Sequence, residues 1–334
     1  KKEVQLRDFE GTQRLPEVYR GLYMLLARCY QQRGGAGGSD AEVQAMELYT
    51  LDLWMTPDRA KSWVGLAKAL HGLLHSGDNY GIREHSTLEH SPEAEEKLYK
   101  VFRAWSAVRV LDPANLEARM GVGLVLYLRA QAGSVLKPED VTEVRRMAYR
   151  ELEDLSKVGA DKTDWRVHFL LGNLARKLGE PAAACLEHLF AAAVRNTEGE
   201  TLGLEPLYKL HAVRAKLLLE GFEDLELLDK FSVHKCLERA PEVTSAEDTS
   251  LHILAGSTRW MQQAQQEQKD YEDEAGALFE GEKEAEGGGE RSKTSILRDA
   301  MVAIRAVILA AKTRTFGNWT FAKGRYRIAK VVAT

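Results

Sequence analysis

The chain has 334 residues, 44% of them hydrophobic and 29% charged, with a net charge of -4. That is ample material for buried cores, and length alone allows about two domains. The near-neutral balance excludes whole-chain electrostatic attachment to nucleic acid, so no direct sequence-specific nucleic-acid contact is expected.

The most apolar runs, 121–128 and 300–311, are too short to span a bilayer, and Arg305 interrupts the second. No signal peptide is visible. Cys29, Cys185 and Cys236 are far apart and odd in number, without the close pairs of a zinc or redox motif. Each is expected to be a small apolar filler inside a helix, as suits an intracellular, reducing compartment. The chain starts at Lys1 without methionine and stops in a helical pattern, the expectation for a piece of a larger protein.

Residues 14–33 carry a helical pattern with Pro16 near its start, and Gly34–Ser39 is a glycine-rich turn. Next comes Ala45, Tyr49, Asp52 and Pro57, then Trp63, Leu66, Ala67 and Leu70. These spacings predict the second helix of one hairpin, a proline-marked turn and the first helix of the next. Small residues fall where helices approach closely and large ones fill the space between. This is the tetratricopeptide pattern, whose unit of roughly 34 residues stacks on its neighbours because it cannot bury its apolar face alone. Asp52 departs from it, standing where a small residue is expected, and is predicted to reach solvent or a neighbouring base. Thr56-Pro57 fits an N-cap followed by proline at the first helical position.

The phase returns at Val101, Trp105, Val108 and Pro113, followed by Val122, Gly123 and Leu126, with Arg119 in the place of Trp63; Asp112-Pro113 is expected to cap its helix as Thr56-Pro57 does. Prolines 57 and 113 stand 56 residues apart, which leaves an insertion of about 22 residues over the standard repeat. It falls in the polar loop Ser76–His90, and Ser91-Pro92-Glu93 restarts the helix.

Helices are then predicted over 139–157 and in the unit His168, Leu171, Gly172, Ala175, Gly179, Ala184, His188, Ala191. After Asn196 the strict register fails. Residues 205–219 and 223–240 still read as helices, and 245–279 as a long helical pattern that turns acidic. Nothing alternates with the period of two that a sheet needs. The expected fold is all-α, a tetratricopeptide-like helical-hairpin solenoid with irregular, insertion-bearing repeats. Residues 14–196 are its repeats, 197–280 an irregular helical continuation, 281–293 a charged glycine-rich loop, and 294–334 a C-terminal helical hairpin.

Chemistry is sparse. His71 and His75, with His85 and His90 after them, have metal-like spacing, but Gly72 stands where a zincin needs glutamate. Gly121-Val122-Gly123 has no preceding strand, so it is helix packing and not a phosphate loop. Glu95-Glu96 and Glu272-Asp273-Glu274 read as solvated helix faces. No serine or cysteine nucleophile has a recognisable local motif. No enzyme, cofactor or metal is expected.

Binding is the better reading. A stacked solenoid presents a concave surface lined by the first helix of each repeat. Asn173 and Arg176 lie on such a helix, placed to hold a partner's backbone or carboxylate. A two-carboxylate clamp is excluded, because only Lys68 is in phase with Asn173 and it is not on the adjacent unit. The acidic stretch 267–284 is expected to be solvated, with attraction of a basic partner such as a histone, or folding back on the basic C-terminal pair, as the alternatives.

Two segments carry a more specific likeness. Glu205-Pro-Leu-Tyr208-Lys-Leu-His211-Ala212-Val213-Arg214-Ala-Lys216-Leu-Leu-Leu219 resembles a segment of the calcineurin-binding protein cabin family, close to Tyr-Arg-x-His-Ala-Ser-Arg-Leu-Lys-Leu-Leu. Ala322-Lys323-Gly324-Arg325-Tyr326-Arg327-Ile328-Ala329 is similar to that family's His-Lys-Ala-Arg-Tyr-Arg-Leu-Ala. Ser62-Trp63-Val-Gly65-Leu66-Ala67, followed by a long insertion, is a third shared feature. Val213 replaces a serine and Ala322 a histidine. The resemblance implies a tetratricopeptide-like scaffold subunit of the HIR histone-chaperone complex. It implies a nuclear location and WD-repeat subunits and histones H3 and H4 as partners, in replication-independent chromatin assembly. Trp63, His211, Arg214, Arg325 and Tyr326 are the matched positions, expected to buttress the solenoid. The alternative is a generic adaptor holding a short peptide or helix in a concave groove.

Overall fold

The structure, a computed structural model, describes residues 21–33, 39–74, 92–131, 138–158, 164–196, 204–243, 261–266, 269 and 292–312. Every regular element among them is an α-helix. The helices are α1 (Leu22–Arg33), α2 (Ser39–Met55), α3 (Ala60–Leu74), α4 (Pro92–Leu111), α5 (Leu116–Gln131) and α6 (Pro138–Lys157). They continue as α7 (Trp165–Leu178), α8 (Ala182–Arg195), α9 (Glu205–Leu219), α10 (Leu225–Asp229), α11 (Val233–Val243) and α12 (Lys293–Lys312), and residues 261–266, between α11 and α12, are helical as well. The chain divides into two compact units, Lys1–Val144 and Arg145–Thr334.

In the first unit each helix packs on the next in sequence, α1 on α2, α2 on α3, α3 on α4 and α4 on α5. The tight positions are where the spacing puts them. Ala27, Ala45 and Leu66 form one cluster with Tyr49 and Leu53, and Trp63 and Leu70 pack against it. Val101, Trp105 and Val108 are buried on α4, and α5 is buried continuously from Gly121 to Leu128.

Two residues of α3 and α5 explain how closely the helices meet. A Cβ on Gly65 would come within 2.1 Å of the Tyr49 ring, and one on Gly121 within 2.5 Å of the Trp105 ring. Only glycine lets an aromatic ring come this close to the helix backbone at these points. Gln31 fastens the first contact, accepting from Tyr49 Oη at 2.8 Å and donating through Nε2 to the Gly65 carbonyl at 3.0 Å.

The prolines correct one expectation. Pro57 and Pro113 do not start helices; α3 begins at Ala60 and α5 at Leu116. Each proline is the second residue of a four-residue turn, closed by Arg59 N–H to Thr56 O at 3.2 Å and Asn115 N–H to Asp112 O at 3.1 Å. That position favours the fixed φ of proline. The two turns share a backbone but not their polar ties. Asp52, buried, accepts from Arg59 Nη1 and from Ser62 Oγ, both at 2.5 Å. At the second turn Val108 takes the place of Asp52, and Asn115 Oδ1 accepts from Ala118 N–H at 2.9 Å, an ordinary side-chain cap. Asp52 thus reaches a base, one of the two expected outcomes, and also orients a serine of the next helix.

In the second unit α7 packs on α8, α8 on α9 and α9 on α12. Asp164 caps α7 by accepting from Arg166 N–H at 2.9 Å, and Gly179, with φ +75, ends it in the left-handed region. Gly172 makes room for Leu189, whose Cγ would lie 2.6 Å from an added Cβ.

Residues 205–219 form a helix with the expected bounds. Residues 223–240, expected as one helix, are two, α10 and α11, broken at Lys230–Ser232. Ser232 N–H turns to Asp229 O at 2.9 Å instead of Leu228 O, and the Leu228 carbonyl accepts from Arg214 Nε at 2.9 Å. The break lets Phe231 be wholly buried, edge-on to Phe190 with ring centroids 6.1 Å apart.

Cys29 is a second correction. It is exposed, whereas Cys185 and Cys236 are buried as expected. The loop 76–90, the 34–38 turn, most of 245–291 and the second helix of the C-terminal hairpin lie outside the described residues.

Candidate interaction surface

Asn173 and Arg176 are the sequence candidates for holding a partner, and neither offers an accessible, unpaired group on the surface. Asn173 is only 3% exposed on α7, its amide buried without a hydrogen-bond partner among the described residues. Arg176 is half-buried and its guanidinium is taken by the Glu220 carboxylate at the end of α9. A polar residue at helical phase reads as surface, but here the helix turns it inward.

The family-matched residues on α9 are interior struts. His211 and Arg214 are both 0% exposed. Arg214 donates through Nε to Leu228 O, and its Nη1 lies 2.9 Å from His211 Nδ1 and 2.9 Å from Asp299 Oδ2 of α12. One planar side chain therefore joins α9, α10 and α12. Because Nη1 donates to it, His211 Nδ1 carries no proton, and the ring is the neutral Nε2–H tautomer. Burial, then the adjacent Arg214 charge, holds its pKa well below the ordinary histidine value. Trp63 is partly buried on α3, and its indole N–H donates to Pro57 O at 2.7 Å. Arg325 and Tyr326 lie outside the described residues.

A second polar network crosses α7 and α8. Arg195 donates to His168 Nε2, and His168 Nδ1 lies 3.4 Å from His188 Nδ1. The only consistent assignment runs donor to acceptor from Arg195 to His168 to His188, with both rings neutral. Burial, then Arg195 and His188, pushes His168 down to about 3. The ring of Tyr149 meets His188 edge-on, centroids 6.5 Å apart.

The surface feature is an open groove of about 420 Å³ in the first unit. Pro57 and Trp63 make one wall, and Tyr99, Phe102, Arg103 and Val110 of α4 make the other. The hydrogen bond from Trp63 to Pro57 fixes the first wall. Val110 is 79% exposed, and Arg103 lies over the Tyr99 ring at 5.9 Å. No carboxylate among the described residues pairs with Arg103. Trp54 stands on α2 where Val110 stands on α4, three residues before the turn proline, and it is 65% exposed. Sequence patterning gave Trp63 and Pro57 structural roles and left their shared groove unseen, because its other wall lies beyond the Ser76–His90 insertion.

Among the described residues no group of three or more His, Cys, Asp or Glu is placed to hold a metal ion. Among the same residues no helix is long and apolar enough to cross a membrane. No family model matches the chain, and no curated protein matches it either.

Proposed function

We propose that this chain is a non-catalytic scaffold for protein-complex assembly, built as a tetratricopeptide-like helical-hairpin solenoid with irregular, insertion-bearing repeats. The observation that carries this reading is the recurrence, 56 residues apart, of one junction: Tyr49 over Gly65 and Trp105 over Gly121, each across a proline turn. A unit that recurs with its close contact intact is one that buries its faces against its neighbours, the principle of a repeat array. The thiols suit a structural role as well. Burial pushes Cys185 up to about 11 and Cys236 to about 12, so both are protonated at neutral pH and poor nucleophiles.

The specific role we propose is that of the family its 205–219 and 322–330 segments resemble: a nuclear scaffold in replication-independent deposition of histones H3 and H4, joined to WD-repeat subunits. The placement of His211 and Arg214 supports this reading, since residues matched across a scaffold family are expected to hold the helices in register. Affinity capture with the tagged chain tests it. Recovery of WD-repeat subunits with histones H3 and H4 is expected; a partner set confined to cytosolic proteins would overturn it.

The groove favours a second reading, a generic adaptor for a partner's peptide or helix. Capture of a single helical ligand without histones or WD-repeat subunits would select it.

A further inference from the structure

We infer that the groove between the Thr56–Arg59 turn and α4 is a docking site for an amphipathic helix of a partner protein, with large apolar anchors and an acidic residue beside them. Tyr99, Phe102, Arg103, Ser106, Ala107 and Val110 all line it, a stripe of three turns on one face of α4. At 1.5 Å per residue that stripe is about 16 Å long, the length over which a helix presents anchors at i, i+3 or i+4, and i+7. The groove is open, which suits a helix lying along α4 better than a small molecule, whose site encloses most of its surface.

The exposed residues argue that this face is covered. Val110 at 79% exposure and Trp54 at 65% occupy equivalent positions in two successive junctions, so the exposed apolar character recurs with the fold. Isolated apolar residues on a surface are ordinary; large ones kept at the same place in successive units form a row.

Charge selects the partner's chemistry. Among the described residues, Arg103 is the only charged side chain lining the groove. Its guanidinium lies over Tyr99, 5.9 Å from the ring centroid, with no carboxylate partner among the described residues. The planar fork retains donors along its edge for a carboxylate while its face covers the ring. A partner acid next to an aromatic or leucine anchor would meet both at once.

The inference rests on the scaffold reading only in taking the occupant to be a protein partner. Its test is selection of a phage-displayed library of 16-residue helical peptides against the full chain. Enriched peptides are expected to carry apolar anchors at helical spacing with an adjacent Asp or Glu. A synthetic peptide of that type is expected to bind at least about tenfold more weakly to Val110→Asp. Arg103→Glu is expected to remove the preference for the acid. Both side chains are exposed, so melting temperatures should match the parent, and Arg103→Glu carries the test if Val110→Asp melts lower.

No enrichment, enrichment without this pattern, or binding indifferent to both substitutions would overturn the inference. So would self-association in sedimentation that Val110→Asp abolishes, which would make a second copy the occupant. Capture of WD-repeat subunits and histones H3 and H4 with the same variants separates the two proposals. If the variants lose peptide but keep those partners, the scaffold stands and the groove serves another contact. If peptide binding holds while the parent chain captures none of them, the chromatin role fails and the groove remains.

Discussion

The ring of Tyr49 on α2 lies against the backbone of Gly65 on α3, so close that a single added methyl group would stand 2.1 Å from Cζ. Gln31 of α1 holds both residues, accepting from the phenol and donating to the glycine carbonyl. Three successive helices are thereby locked at one point. Gly65→Ala should destabilise the first unit by about 2–3 kcal/mol, because overpacking a wholly buried ring outweighs the gain in helix propensity of about 1 kcal/mol. Urea unfolding measures it, and adding Tyr49→Leu should return a large part of the loss. Neutral or stabilising behaviour of Gly65→Ala would contradict this packing.

Asp52 tests whether a charged residue at a small-residue position is a defect or a tie. Its carboxylate holds Arg59 in the turn and Ser62 in α3. Asp52→Ala should cost about 2–3 kcal/mol, the value of charge-assisted hydrogen bonds in a buried place. In a double-mutant cycle with Arg59→Ala the two losses should fall short of additive. Additive losses would mean that the pair does not interact.

How much of this was legible in the sequence differs from residue to residue. Ala45, Tyr49, Trp105 and the 205–219 helix were, because small and large residues at helical spacing report burial directly. The start of α3 was not, since Thr-Pro suits both a helix N-terminus and the first half of a turn. The choice falls to Arg59 and Asn115, whose bonds fix where each helix begins. The break before Phe231 depends on Arg214 reaching the Leu228 carbonyl from another helix. The Tyr49–Gly65 contact and the wall of the groove on α4 likewise join residues of different helices. Asn173 shows the opposite limit: its polarity suggests a surface, and only the packing of α7 shows that it is inside.

Arg214 should be the most costly surface-remote substitution in the second unit. Arg214→Met leaves Asp299 without its cation and the Leu228 carbonyl without its donor, a loss of about 3–5 kcal/mol. Arg214→Lys keeps the charge but cannot serve carbonyl, imidazole and carboxylate from one rigid fork, so it should restore only part. Hydrogen exchange would locate the loss in α9, α10 and α12. Full restoration by lysine would show that charge alone, not geometry, matters there.

The buried histidines set the response to acid. His168 has a folded pKa of about 3, against the ordinary histidine value of 6.5 that it regains on unfolding. Between these values the unfolded chain binds a proton that the native one does not, so stability falls as pH falls. The contribution is complete above about pH 6.5 and erodes by about 1.4 kcal/mol per unit down to about pH 3. His188 and His211, lowered chiefly by burial, act in the same direction. Unfolding midpoints measured from about pH 7.5 down to about pH 5 should show this slope. His168→Gln should flatten it, and an unchanged slope in that variant would remove His168 from the account.

The most direct measurement of the central proposal is reconstitution of the purified chain with WD-repeat subunits and histones H3 and H4, followed by size-exclusion chromatography. A scaffold of this kind should give one co-eluting complex that forms with the parent chain and is lost when Arg214→Met loosens α9 from α10 and α12. Separate elution of the folded parent chain from both the WD-repeat subunits and the histones would contradict it.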